Sequence, residues 1–364
     1  MEEKMVKPTL ETIENREVWD GFVVSRPEAN CLQSWSMMEA HAKMGQQIVR
    51  RAVLEGGKII GVYSGFVERA KKGTGLIIAG GPLVDLTKKS AIKMMLTDIK
   101  TQAQRLKCDF VRLRPQWEDS PESREILREN GAKKAPFYLS VEYAGVLDIS
   151  GTEQQILAGF RQKARRAIRK AEAANLDISA SVDPKEIDEF YQIELDHAKR
   201  QAYVPFSKKF LKTQFEVFAA HDEAKLFIAR IGEKTNAKDG AEPQPSADQV
   251  GAVLAENFMI FYGQEASYLY GVSTRLGTEY SAAPLLHLQA IREAKKRGLT
   301  RYNFWGIVGV DETKHRFYGV SVFKRGFGIS ELKYAPAHDL IINPLRYYGI
   351  IYPLESLRRK FRKV

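Results

Sequence analysis

LDISGTEQQILAGFRQKARRAIRKA, residues 147–171, is the stretch from which the fold is read outward. Ser150 or Thr152 can cap a helix, because their side-chain oxygens accept from the free N–H groups of a first turn. Ile156, Phe160, Ala164 and Ile168 then recur every four residues, which predicts a single helix from Ser150 to Ala174 with one apolar stripe. Arg161, Arg165 and Arg169 form a row beside that stripe. Together with Lys163, Arg166 and Lys170 they place six cations and no acid between residues 161 and 170.

Downstream, Asp183-Pro184 opens a second helix carrying Ile187, Phe190, Ile193 and Leu195, with proline just inside its start. A third helix is expected over 206–220, and strands over 224–230, 251–262 and 266–273. Residues 232–249 hold no large apolar side chain, so they read as a long mobile hairpin loop between two partner strands. Pro284 begins a helix that runs to Arg297 and stops at Gly298; a strand follows over Tyr302–Gly306.

Upstream, Gly56-Gly57 divides two apolar runs between Ile48 and Val67 into a hairpin. Leu76–Ala79 ends at Gly80-Gly81-Pro82. A helix over 90–106, a strand over 110–114 closed by Pro115, and a helix over 122–130 stopped by Gly131 complete this half. The chain is thus α/β (α+β), in two units that each show a hairpin, a crossover helix and a late strand.

Composition bounds the function. The 364 residues suffice for two domains with their own cores, and 44% hydrophobic with 28% charged residues excludes a disordered or fibrous chain. Two cysteines, Cys31 and Cys108, suggest neither a disulfide scaffold nor a metal cluster, and the six histidines have no metal-ligand spacing. No metal site is expected. The charged opening Met1-Glu2-Glu3-Lys4-Met5 does not read as a signal peptide, and no apolar run reaches the roughly 18 residues of a spanning helix. The expected location is cytoplasmic.

Lysine and arginine number 56 against 45 acids, a net charge of +11, and a second basic cluster lies at Arg358–Lys363. Such patches attract polyanions: nucleic acid, an anionic membrane face or a pyrophosphate-bearing substrate. A P-loop is missing from the sequence, and so is a clear pyrophosphate loop of the coenzyme A kind. A donor that arrives already activated would answer both.

Further motifs lie in order along the chain: Asn30-Cys31-Leu32-Gln33-Ser34-Trp35, Gly80-Gly81-Pro82-Leu83, the 147–171 block, Tyr268-Leu269-Tyr270-Gly271-Val272-Ser273, Ala283-Pro284-Leu285-Leu286, Tyr302-Asn303-Phe304-Trp305-Gly306 and Phe323-Lys324-Arg325-Gly326-Phe327-Gly328. This ordered set resembles the FemABX family, the non-ribosomal peptidyl transferases that add amino acids to the peptidoglycan stem peptide from aminoacyl-tRNA. The resemblance implies two fused acetyltransferase-like (GNAT) domains, the first being 1–146 plus 332–364 and the second 147–331. No helical arm fits between Ala171 and Ala224, so the chain looks like the compact kind. The implied partners are aminoacyl-tRNA as co-substrate, with no bound cofactor, and UDP-MurNAc-pentapeptide or a lipid-linked precursor as acceptor. An anionic membrane contact at the inner face and a monomeric state are also expected.

The residues allow matching roles. Lys324, ahead of a glycine-rich turn, is the first candidate to stabilise an oxyanion, and Tyr270 joins it as a catalytic candidate. Tyr268 and Tyr270 alternate with Leu269, so both rings are expected on one strand face, lining a groove. Arg200 and Tyr203, three apart on a helix, can hold a carboxylate or phosphate. Trp35, Trp305 and Gly306 are expected along the substrate cleft. Arg161, Lys163, Arg165, Arg166, Arg169 and Lys170 are expected to contact tRNA or other phosphates. Two rivals stay open on the residues alone: a coenzyme A-dependent N-acyltransferase or an aminoacyl-tRNA–protein transferase on the same fold, and a non-enzymatic protein that binds RNA or anionic membrane.

Overall fold

The computed structural model describes residues 7–201, 204–236 and 246–362. The chain divides into two compact units, Met1–Ala144 with Val308–Tyr318 and Leu332–Val364, and Gly145–Ile307 with Gly319–Glu331.

The first unit contains β1 (Thr9–Glu11), α1 (Arg16–Val24), α2 (Trp35–Lys43), β2 (Ile48–Glu55), β3 (Lys58–Ala70), β4 (Gly73–Gly80), β5 (Leu83–Val84), α3 (Lys89–Arg105), β6 (Phe110–Pro115), α4 (Pro121–Glu129), β7 (Lys133–Lys134) and, late in the chain, β15 (His338–Ile341). Its sheet runs β1-β2-β3-β4-β6-β15-β7, with β5 on the side of β3. β4 and β6 pair in parallel, joined by the crossover helix α3. The apolar spacing of Ile92, Met95, Ile99 and Leu106 read from the sequence is met by this helix, which buries Ile92, Met95 and Ile99 together with Leu96, while Leu106 caps its end half-buried.

The chain closes with α12 (Pro344–Arg346), a π-helical turn over Tyr347–Ile351, and α13 (Tyr352–Arg362). Arg112 on β6 anchors this segment. Its guanidinium donates to Asp339 Oδ1 and Oδ2 at 2.8 and 2.7 Å and to Glu355 Oε2 at 2.6 Å. Tyr347 Oη donates to the same Asp339 at 2.7 Å.

The second unit holds β8 (Tyr143–Asp148), α5 (Glu153–Gly159), α6 (Gln162–Ala173), β9 (Asp177–Ser181), α7 (Ile187–Gln201), α8 (Lys208–Ala219), β10 (Ala224–Arg230), β11 (Val253–Tyr262), β12 (Glu265–Ser273), α9 (Arg275–Tyr280), α10 (Ala282–Lys296), β13 (Arg301–Gly306), α11 (Tyr318–Arg325) and β14 (Ser330–Lys333). The sheet order is β14-β8-β13-β12-β11-β10-β9. β10 and β11 are antiparallel partners, as read from the sequence on either side of the long loop. The described start of that loop is tied down: Thr235 is buried and donates to Asn175 O, and Asn236 Nδ2 donates to Ala173 O. Residues 237–245 lie outside the described residues.

Two expectations need correction. The helix expected over 150–174 is two helices. A capping box of Thr152 and Gln155 starts α5, and the chain then turns extended at Phe160 and Arg161, with ψ of 145° and 150°. Phe160 packs edge-on to Phe327 at 5.1 Å, and the Arg161 N–H donates to Gly326 O at 2.8 Å. The tertiary contacts of this corner outweigh helix continuation, yet the four-residue period survives the break.

Tyr268 and Tyr270 do not share a face. The pairing of β11 with β12 shifts by one residue, so that Tyr270 lies opposite Phe258 and Tyr268 opposite Met259. Leu269 is the extra residue of a bulge, and a bulge reverses the alternation of side chains. Tyr270 accordingly packs with Phe258 and Phe206 on the α8 side, and Tyr268 with His287 of α10.

Candidate active site

β12 and β13 are parallel neighbours through Glu265↔Arg301, Ala266↔Tyr302 and Ser267↔Asn303. Beyond these pairs they part, and Tyr268, Trp305, Gly306 and Lys324 lie beside the parting. The chain at the end of β13 is specially held. Trp305 has φ of +65°, a left-handed conformation uncommon for a bulky residue. Asn303 stabilises it: Oδ1 accepts from the Trp305 N–H at 2.8 Å, an Asx turn. Asn303 Nδ2 donates to Glu265 Oε1 at 3.1 Å, and that buried carboxylate also accepts from Ser267 Oγ and Arg301 Nε at 2.6 and 2.8 Å. The network fixes the direction of the Gly306 carbonyl.

Lys324 meets that carbonyl. It sits in the last turn of α11 and is 7% exposed. Its Nζ donates to Gly306 O at 2.8 Å and lies 5.7 Å from the centre of the Tyr268 ring. No acid pairs with it among the described residues. Burial therefore lowers its pKa to about 7, since little offsets the lost hydration of the ammonium. A buried lysine with no acid partner among the described residues, beside a strand parting, is a candidate functional group.

The surroundings of Lys324 are aromatic. His287 contacts Tyr268, Phe304, Phe323 and Phe327 at ring-centre distances of 4.6, 4.9, 5.6 and 5.2 Å. Burial first, and Lys324 second, hold His287 near pKa 3, so it is a neutral wall. Its Nδ1 is bonded to Tyr302 Oη at 2.7 Å. Gly271 lets Tyr268 lie flat on β12, because a Cβ there would fall 1.9 Å from the phenol oxygen. Burial raises the Tyr268 pKa, which keeps that hydroxyl protonated.

The other candidates fall as follows. Tyr270 is half-buried between Phe206 and Phe258. Arg200 is exposed at the end of α7 and donates to Ser273 O at 3.3 Å. Tyr203 lies outside the described residues. Trp35 belongs to the first unit, where the Arg50 guanidinium stands 3.7 Å from the centre of its ring.

Arg161, Lys163, Arg166 and Arg169 are exposed, and Lys170 is half-buried. Arg165 differs: its Nη1 donates to Ala158 O and Phe160 O at 3.0 and 2.5 Å, closing the end of α5. The corner at Phe160 thus turns that side chain inward. Sequence reading missed Asn303, Glu265 and His287 as members of the site. The signal available for Asn303 was its position two residues before a Trp-Gly pair, the pattern of an Asx turn.

Two mixed sheets, each with a parallel strand pair, are the architecture of tandem acetyltransferase-like units. The chain belongs to the FemAB family, whose model matches residues 14–134, 132–239 and 233–352. It is 19% identical over 383 residues to a lipid II:glycine glycyltransferase of Staphylococcus epidermidis, covering 90% of this chain and 92% of that protein. The crystal structure of FemX superposes with a TM-score of 0.81 at 18% identity, over 94% of this chain and 99% of that one. A tandem GNAT protein from the clavulanic acid biosynthesis pathway superposes with a TM-score of 0.55 at 11% identity, over 92% and 99%. The fold expectation is met, and the activity is that of an aminoacyltransferase.

Proposed function

We propose that this protein transfers an amino acid from aminoacyl-tRNA to an amine of the peptidoglycan stem peptide, with the precursor linked to lipid at an anionic membrane face. Family membership and the lipid II glycyltransferase relatives support the reaction class. The buried Lys324 ammonium on the Gly306 carbonyl is the observation that carries the mechanism.

The acceptor's neutral amine attacks the ester carbonyl of the donor. A C–N bond forms and the carbonyl oxygen becomes an oxyanion. The C–O bond to the tRNA ribose then breaks, and the proton lost by the attacking nitrogen ends on the leaving hydroxyl. Lys324 Nζ has three hydrogens and spends one on Gly306, leaving two for the oxyanion. In a desolvated pocket such donors act most strongly in the transition state. Tyr268 and Trp305 border the reacting groups, Tyr270 lies on the other face of β12 away from Lys324, and Arg200 with Tyr203 binds an anionic part of the acceptor. Gly306 completes the contacts with substrate in this unit.

Arg161, Lys163, Arg166, Arg169 and Lys170 bind tRNA phosphates, contacts that confer affinity with little sequence choice. The protein works as a monomer without a bound cofactor.

The test offers charged total tRNA with lipid-linked precursor and, separately, with UDP-MurNAc-pentapeptide. Labelled amino acid should appear in the lipid-linked acceptor. Absence of label from both, with tight acyl-coenzyme A binding in its place, would overturn the assigned donor.

A further inference from the structure

The segment from Pro344 to Leu354, PLRYYGIIYPL, carries a single charge, Arg346. One seam of this segment is locked into the first unit. Tyr347 and Ile351 are buried, and a Cβ on Gly73 would fall 2.7 Å from Ile351 Cδ1. Glu355 is held by Arg112 and Lys72. The helix cannot roll to hide its remaining apolar residues. Leu345 is 88% exposed, Leu354 50% and Leu357 51%, and Tyr348, Ile350 and Tyr352 are exposed beside them. Gly349 and Pro353, also exposed, add no polar side chain. Helix surfaces this apolar and this open are binding surfaces.

Charge identifies the occupant. From Pro344 to Val364 there are six lysines and arginines and one acid, the buried Glu355. Lys133 of β7 adds a cation on the Tyr348 phenol at 2.8 Å, and Lys134 next to it is exposed. A second copy of this chain would bring two basic tails together, which like-charge repulsion opposes. An anionic bilayer suits both parts: leucine and isoleucine enter the acyl boundary, tyrosine rings sit at headgroup depth, and basic side chains meet lipid phosphates.

We infer that the outer face of residues 344–359 is a membrane-docking surface that lies in the plane of an anionic bilayer. This deepens the proposed function by naming the surface that brings the enzyme to a lipid-linked acceptor. The full chain is sedimented with vesicles of phosphatidylglycerol and phosphatidylcholine, and with phosphatidylcholine alone. Binding is expected on the anionic vesicles, weakened by salt. It should fall at least about tenfold in Leu345→Asp/Leu354→Asp and in Arg358→Glu/Arg359→Glu. Thermal unfolding checks that the variants fold, and transfer to the lipid-linked precursor dispersed in detergent, without a bilayer, should be unchanged.

Vesicle binding that survives Leu345→Asp/Leu354→Asp would overturn the assigned surface, as would no vesicle binding by the unaltered chain. So would a concentration-dependent dimer that Leu354→Asp dissociates. No vesicle binding by the unaltered chain, with its transfer activity intact, counts against the surface alone; docking with no transfer to either acceptor counts against the proposed reaction alone.

Discussion

Arg112 and Lys324 are both buried cations, one in each unit, and their surroundings are opposite. Arg112 is met by two carboxylates. Burial alone would lower its pKa, but the hydrogen bonds and charges of Asp339 and Glu355 outweigh this and raise it. Lys324 has a carbonyl, an aromatic ring and, among the described residues, no acid, and burial prevails. A fully paired ion holds structure in place. An unpaired one is a cost to the fold that is retained where chemistry needs a cation with no partner to compete for it.

The largest expected effect tests the paired side. Arg112→Ala leaves the buried Asp339 without its cation and Glu355 with Lys72 alone, and should destabilise the protein by about 3–5 kcal/mol in chemical denaturation. On the unpaired side, Lys324→Ala should lower kcat by roughly 10²–10³-fold with no comparable loss of stability. If Lys324→Ala unfolds the protein instead, the contrast between the two cations fails.

The contrast also has a pH signature. The folded Lys324 pKa, about 7, lies below the ordinary 10.5. Between these values the unfolded chain holds a proton that the folded chain lacks, so stability contributed by this site rises with pH across that window and the full penalty stands below it. Lys324→Met should abolish that slope and raise the unfolding temperature at neutral pH. Because the reaction needs the ammonium, kcat should descend above about pH 7. Lys324→Arg should move that limb to higher pH.

Smaller effects are expected at the supporting residues. Asn303→Ala removes the Asx turn that holds Trp305 and should cost about 1–3 kcal/mol, with a fall in kcat at little change in KM. Arg166→Ala and Arg169→Ala should each weaken tRNA binding and reduce its salt dependence. Arg165→Ala should lower thermal stability by about 1 kcal/mol and leave the salt dependence alone, since its guanidinium caps α5.

Much of this was legible in the amino-acid order. The β2–β3 hairpin, the helix α3 and the β10–β11 pair follow from period and turn chemistry, and the ordered motifs disclosed the family. The failures share a cause: a tertiary contact overrode a local pattern without disturbing it. The stripe through Ile156, Phe160, Ala164 and Ile168 keeps its spacing across a corner made by Phe327 and Gly326. The alternation Tyr268-Leu269-Tyr270 is unmarked by the bulge, which comes from pairing with β11. Lys324 was found as a residue, but its helix was not, and neither its burial nor its lack of an acid partner is a property of sequence. The C-terminal segment read as a basic tail because charge is visible in a composition and exposure is not.

The position of β15 bears on how the protein is made. Arg112 lies 227 residues before Asp339 and 243 before Glu355. Every residue of the second unit leaves the ribosome before β15 can slide between β6 and β7. During synthesis the first unit therefore waits with a gap in its sheet and a strand edge exposed, while the second can fold to completion. The newborn chain is most prone to aggregation through its N-terminal half, and a chaperone that shields the β6 edge until translation ends would improve its yield.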